Sequence, residues 1–176
     1  MQKAIGMIEF KTVSAGITAA DQMVKTSDVE ILEAQTVCPG KYVAIIAGDL
    51  SAVRAAVERA RATRPEELID DFVLGNPDPS IFPAIYGTSQ VENVSALGIL
   101  ETYDAASIIV AADIAAKTAI VQLIELRIAK GMCEKSYLLI TGEVAACEAA
   151  IAAATESVGE KGMFLDSSVI AHPDAQ

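Results

Sequence analysis

Few side chains in this sequence could do chemistry. It has three cysteines, Cys38, Cys133 and Cys147, and a single histidine, His172. An odd number of cysteines does not read as a disulfide framework. One histidine per chain excludes a multi-histidine metal site within one chain. The cysteine with the most suggestive surroundings is Cys38, in Thr36-Val37-Cys38-Pro39-Gly40-Lys41. The thiolate is the nucleophilic and metal-binding form of cysteine, and Pro39-Gly40 leaves little side-chain bulk beside the sulfur. The competing expectation is an inert thiol packed as a small hydrophobe. Cys133 lies in Lys130-Gly131-Met132-Cys133-Glu134, and Cys147 in an alanine-rich stretch expected to pack as a helix. Asp21/Lys25 and Asp113/Lys117 are spaced i, i+4, as for ion pairs along helices. Glu66-Glu67-Asp70-Asp71 reads as a solvated acidic face without the glycine-spaced pattern of a calcium loop. No phosphate loop, dinucleotide fingerprint or nucleophile elbow is present. An enzyme is not expected.

These residues sit in a duplicated frame. Ala4-Ile5-Gly6-Met7-Ile8-Glu9 matches Ala96-Leu97-Gly98-Ile99-Leu100-Glu101 at an offset of 92. Over residues 4–37 the register holds without a gap and gives 11 identities, among them Asp21/Asp113, Lys25/Lys117 and Glu33/Glu125. The second copy then gains two residues, setting Lys41-Tyr42 opposite Lys135-Ser136. Cys133 therefore falls in the turn equivalent to that of Cys38. Near the ends Val73-Leu74 matches Val169-Ile170. Self-similarity on this scale is a tandem duplication.

Each copy reads as β-α-β-β-α-β. In the first, residues 3–11 alternate as a strand. Ser14 caps a helix with apolar spacing at Ile17, Ala20, Met23 and Val24, and 29–37 is a strand. Cys38-Pro39-Gly40 is a turn, 42–47 a buried strand, and Asp49 or Ser51 caps a helix to about Thr63. Residues 68–74 form the last strand. The expected class is α+β, a ferredoxin-like unit with two helices on one face of an antiparallel sheet. The expected domains are 3–75 and 95–174. A linker at 76–94 carries one helical turn near Ser80–Tyr86. Halves of this size are small for a stable core and are expected to pack together. Duplication converts a ring of six identical domains into a ring of three chains, so a homotrimer with pseudo-sixfold symmetry is expected.

Composition bounds the partners. The 176 residues carry 13 Lys plus Arg against 24 Asp plus Glu, a formal charge of −11. That balance disfavours nucleic acid and anionic membranes. Hydrophobic residues make up 52% and the mean hydropathy is +0.40, which excludes a disordered chain. The most apolar stretch, Ile108 to Ile128, is interrupted by Asp113, Lys117, Glu125 and Arg127, so no membrane span is expected. The residues from Met1 to Phe10 lack the apolar core of a secretion signal, and a cytoplasmic location is expected.

Ala-Ile-Gly-Met-Ile-Glu at 4–9, Ala-Ala-Asp-Gln-Met-Val-Lys at 19–25 and Gly-Asp-Leu-Ser-Ala-Val at 48–53 resemble the bacterial microcompartment shell-protein domain. Two such copies resemble the tandem-domain, trimeric class of these shell proteins. The resemblance implies a flat pseudo-hexameric disc that assembles with other shell proteins. The Cys38-Pro39-Gly40 turn would face a central pore, with the Lys130–Glu134 loop alternating around it. It further implies that Cys38 from three chains holds one iron–sulfur cluster, most simply a [4Fe-4S] cluster, for electron transfer with an encapsulated or cytosolic redox protein. Three thiolates would leave one iron open or suit a three-iron cluster, and zinc is a competing metal. Cys133 is read as a spectator. Lys25 and Lys117 match the family's edge lysine, and Asp21 and Asp113 pair with them. Val169-Ile170-Ala171-His172-Pro173 departs from the family's Pro-Arg-Pro-His ending by lacking the arginine. The alternatives are a metal-free tile with a pore for small metabolites and a ferredoxin-like small-molecule-binding regulator.

Overall fold

The computed structural model describes residues 4–174; residue 3, where the first strand and domain were expected to start, lies outside them. The chain divides between Pro77 and Asp78 into two units.

In unit 1, β1 (Ala4–Phe10), α1 (Val13–Thr26), β2 (Val29–Val37), β3 (Lys41–Gly48), α2 (Leu50–Thr63) and β4 (Leu68–Gly75) follow in order, with a 3-10 turn at Pro65–Glu67. The strands pair antiparallel in the order β2-β3-β1-β4. Unit 2 holds α3 (Ile81–Ile85), β5 (Ala96–Thr102), α4 (Ala105–Thr118), β6 (Val121–Arg127), β7 (Ser136–Gly142), α5 (Val144–Glu160) and β8 (Phe164–Ala171). Its order, β6-β7-β5-β8, is the same. Even the irregularities repeat. The pairing register shifts between Ile31 and Glu33 and again between Leu123 and Glu125, and at Glu9/Phe10 and Glu101/Thr102. A bulge reverses which side chains face the core beyond it, so two copies sharing both bulges share one core pattern.

Small residues set the helix-to-sheet spacing. The core of unit 1 packs Ala15, Ala19, Ala56 and Ala60 from the helices against Ile8, Phe10 and Ile46 of the sheet. Gly6 is where α2 presses closest. A Cβ there would lie 2.7 Å from Val53 Cγ1, and one at the equivalent Gly98 would lie 2.6 Å from Ile140 Cγ1. One core position has been exchanged between the copies. In unit 1, Gly16 of α1 lies on Tyr42 of β3, where a Cβ would meet the tyrosine Cβ at 2.4 Å. The same two positions in unit 2 are Ile108 and Ser136, both fully buried. Small-on-large has become large-on-small at roughly constant volume.

Four expectations are corrected. Helix α1 is capped by Thr12, whose Oγ1 accepts from Ala15 N at 3.4 Å, and Ser14 lies inside the first turn. Strand β1 is buried at every position rather than alternating, so both of its faces are covered. Glu66-Glu67-Asp70-Asp71 is not one solvated face. Asp70 and Asp71 are neighbours in β4, where side chains alternate between faces, and Asp71 receives both Nε and Nη2 of Arg61. Finally, the stretch expected as a linker is packed onto unit 2. Helix α3 lies against β6 and α4, with Ile81 and Ala84 fully buried. Its entry is fixed by Asp78. The backbone N–H of Asp78 donates to Asp113 Oδ1 at 2.8 Å, and its own carboxylate accepts from Ser80 N and Oγ.

Candidate functional site

The β2–β3 turn is short. Val37 is buried and anchors it, and Gly40 N donates to Val37 O at 2.9 Å. Gly40 has φ +108°, a conformation that favours glycine, and nothing lies within 4 Å of where its Cβ would be. Between them the Cys38–Pro39 peptide is cis, Pro39 is exposed and the Cys38 thiol is half-buried. The root of the turn is held by a shielded ion pair, Lys41 Nζ to Glu9 Oε1 at 3.2 Å.

The equivalent loop of unit 2 is longer and built differently. Ala129, Gly131, Cys133 and Glu134 all have left-handed φ angles. Lys130 and Cys133 are exposed and Met132 is half-buried. Its root is tied by Ser136 Oγ, which accepts from Ala129 N at 3.0 Å, and by Lys135 N donating to Met132 O at 3.2 Å. Beside it stands a network that the sequence alone did not reveal. Tyr137 Oη donates to Glu125 Oε2 at 2.9 Å, and Arg127 donates to Glu125 Oε1 through Nε at 3.0 Å and Nη2 at 2.6 Å. Burial works to raise the Glu125 carboxyl, but the hydrogen bonds from Arg127 and Tyr137 outweigh it and hold it below its ordinary value. The legible signal was the spacing of Glu125 and Arg127, two apart on one strand face.

The remaining candidates are distributed. Cys147 is buried in α5, its thiol 4.0 Å from Ala96 O. Burial and then the Glu143 charge push it up, against a hydrogen bond from the Gly98 backbone. Asp21–Lys25 is an exposed pair at 2.6 Å. Asp113–Lys117 has the same geometry at 2.7 Å, but the Asp113 side chain is only 9% exposed because it also receives Asp78 N–H. His172 is exposed, with φ +53°. Among the described residues no cluster of three or more His, Cys, Asp or Glu could hold a metal within one chain. Nor, among those residues, is any helix long and apolar enough to cross a membrane.

Two copies of one β-α-β-β-α-β unit, each with a differently built β2–β3-type turn, make this a tandem-domain protein. The BMC domain family model matches residues 4–77 and again 96–173, and the chain belongs to that family, as a shell subunit of a bacterial microcompartment. It is 38% identical over 173 residues to the bacterial microcompartment shell protein PduT of Citrobacter freundii, covering 98% of this chain and 94% of that one. Over 80 residues it is 36% identical to the shell protein EutK of Escherichia coli strain K12, covering 44% of this chain and 48% of that one. The crystal structure of a microcompartment protein from Desulfitobacterium hafniense superposes with a TM-score of 0.95 at 42% identity, covering 99% of this chain and 97% of that one. Family membership displaces the regulator alternative.

Proposed function

We propose that this shell subunit forms a homotrimeric, pseudo-hexameric disc whose central pore holds an iron–sulfur cluster through Cys38 of three chains. Such a cluster supplies one-electron chemistry, and its place would be between a redox protein inside the shell and one in the cytoplasm. The observation that carries this reading is the Cys38 thiol itself. It is half-buried on a tight turn, with open space beside Gly40. A soft thiolate donor suits iron–sulfur and zinc centres over hard cations. A threefold axis is the simplest operator that multiplies one donor into three. The resemblance to PduT along nearly the whole chain supports the shell placement. Similarity to PduA and EutK supports co-assembly with other shell proteins. In this arrangement Lys130, Gly131, Met132, Cys133 and Glu134 line the alternate positions around the pore, with Cys133 as a bystander.

The test is iron and acid-labile sulfide per trimer, with visible and EPR spectra, on anaerobically purified protein. Wild type is expected to carry a cluster, Cys133→Ser to keep it and Cys38→Ser to lose it. Iron-free, colourless protein after anaerobic reconstitution would overturn the redox reading and leave a tile with a metabolite pore. Zinc bound in the same threefold stoichiometry would replace the redox role with a structural one.

A further inference from the structure

The two copies leave the same face in two different states. On unit 2, α3 packs against α4 and β6; there Ile109 is 0% and Leu123 3% exposed. The equivalent residues on α1 and β2 of unit 1 are Ile17 and Ile31, 52% and 40% exposed, with Val24 beside them at 41%. Ile17 and Ile109 are the same residue at the same repeat position, so the difference lies in what covers them.

What covers unit 2 is the segment that leaves β4. It begins Asn76-Pro77-Asp78, with Asn76 at φ +52°, and is pinned where Asp78 N–H meets Asp113 Oδ1 at 2.8 Å. The segment that leaves β8 begins the same way. By strand register Gly75 and Ala171 are equivalent, since both pair with the first residue of the first strand of their unit, Ala4 and Ala96. His172-Pro173-Asp174 therefore stands where Asn76-Pro77-Asp78 does, and His172 has φ +53°. The carboxylate equivalent to Asp113 is Asp21, whose side chain is 46% exposed. One docking operation is thus present in full on unit 2. On unit 1 the receiving carboxylate and apolar face are present, and the described residues place no α3-like segment over them.

We infer that the His172–Asp174 segment of one chain docks on the α1–β2 face of a second copy, its Asp174 N–H meeting the partner chain's carboxylate at position 21. The occupant of the Ile17/Val24/Ile31 face is a second copy of this chain. The contact is head-to-tail, and three repetitions close a ring. It assigns Asp21 to the interface within a disc, where the family resemblance had placed it at the edge between discs. The inference rests on the trimeric reading above, and the experiment separates the two.

Asp21→Cys and Asp174→Cys are combined in a Cys38→Ser, Cys133→Ser, Cys147→Ala background. A disulfide needs a Cα–Cα spacing of about 4.4–6.8 Å, and the 78/113 pair calibrates whether this N–H to carboxylate contact supplies it. Asp78→Cys with Asp113→Cys in the same background is the intramolecular control. Light scattering on the reduced proteins reports the assembly. Mild oxidation and a non-reducing gel report the contact, and circular dichroism reports folding. The expected result is a trimer before oxidation and a covalent trimer after it for the 21/174 pair only. The 78/113 pair should lose its free thiols with no change of mass. A reduced trimer whose 21/174 pair stays monomeric on the gel, while the 78/113 control closes, overturns the docking inference and leaves the trimer standing. Wild-type chain that is a folded monomer by the same light scattering overturns the trimeric reading and the docking with it.

Discussion

The exchange of large and small residues between α1/β3 and α4/β7 predicts a specific non-additivity. Replacing Gly16 with Ile in unit 1 sets a branched side chain against Tyr42, whose Cβ, Cγ and Cδ1 would lie 2.4 to 2.6 Å from the new Cβ. A ring tip could swing away, but a Cβ moves only with its strand, so overpacking should cost about 3 kcal/mol, the upper part of its usual range. Tyr42→Ser removes a buried ring and opens a cavity, a loss of about 3–5 kcal/mol by analogy with other aromatic truncations. Together the two changes install the pairing that unit 2 already uses at Ile108 and Ser136. The double variant should therefore be less damaged than the sum of the singles by about 2–3 kcal/mol, at the top of the range for residues in contact. The readout is amide hydrogen exchange of peptides from α1 and β3, which resolves unit 1 from unit 2. In exchange rate, that coupling is about 30- to 140-fold. Single-variant effects that simply multiply in the double, to within about 0.5 kcal/mol, would show that the two positions do not share one packing site and that the exchange between copies is coincidental.

Two further predictions follow from the charged groups. Glu125 is held below its ordinary value of 4.5, so its carboxylate stabilises the fold above about that pH and the contribution fades as pH falls through the depressed folded value. Urea midpoints of wild type and Glu125→Gln should differ most near neutrality and converge on acidification below about pH 4.5; a gap that widens there would refute the assignment. In unit 2, Asp113→Ala leaves the Asp78 N–H without its acceptor and Lys117 without its carboxylate partner. Such a loss costs about 1–3 kcal/mol, so amides of residues 78–88 should exchange roughly tenfold faster or more, while Asp21→Ala should leave that segment unchanged.

The order of elements was legible because each helix carries small apolar residues at helical spacing and each turn carries its own punctuation, such as Pro39-Gly40. The cap was misread by two residues because Thr12 and Ser14 are both competent caps, and only the backbone path selects Thr12. Alternation in β1 failed as a guide because that strand is covered on both faces, and the apolar run Ile5, Met7, Ile8 fits either case. The role of Asp113 was hidden for a different reason. Its acceptor oxygen serves a backbone N–H 35 residues upstream, and a backbone donor has no signature in residue types. The i, i+4 spacing to Lys117 supplied a sufficient local explanation and masked the distant one. The difference between the two turns was visible in composition, but not its consequence, a tight turn ending at Gly40 against a loop with four left-handed residues.

Duplication supplies the physical reason why those two turns can differ. In a ring of identical domains any residue placed at the pore turn appears six times, and its chemistry is fixed at sixfold multiplicity. Joining two copies in one chain halves that number and frees one turn from the other. Here the first copy keeps a short turn with Cys38 beside an unobstructed Gly40, its root braced by Glu9–Lys41. The second replaces that brace with Ser136 and with the Glu125, Arg127 and Tyr137 network, and its loop carries Lys130 and Glu134 instead of Pro39 and Gly40. The sheets beneath share one strand order and the same bulge positions, so the backbone divergence lies in the turns between the strands. On the trimeric reading this yields three equivalent thiols separated by three charged loops, a donor number suited to one multi-iron centre, whereas six would be in excess. On the proposed cluster-binding reading, moving Cys133's loop into the first copy, or Cys38's turn into the second, should therefore change the stoichiometry of bound metal without disturbing the fold of either unit.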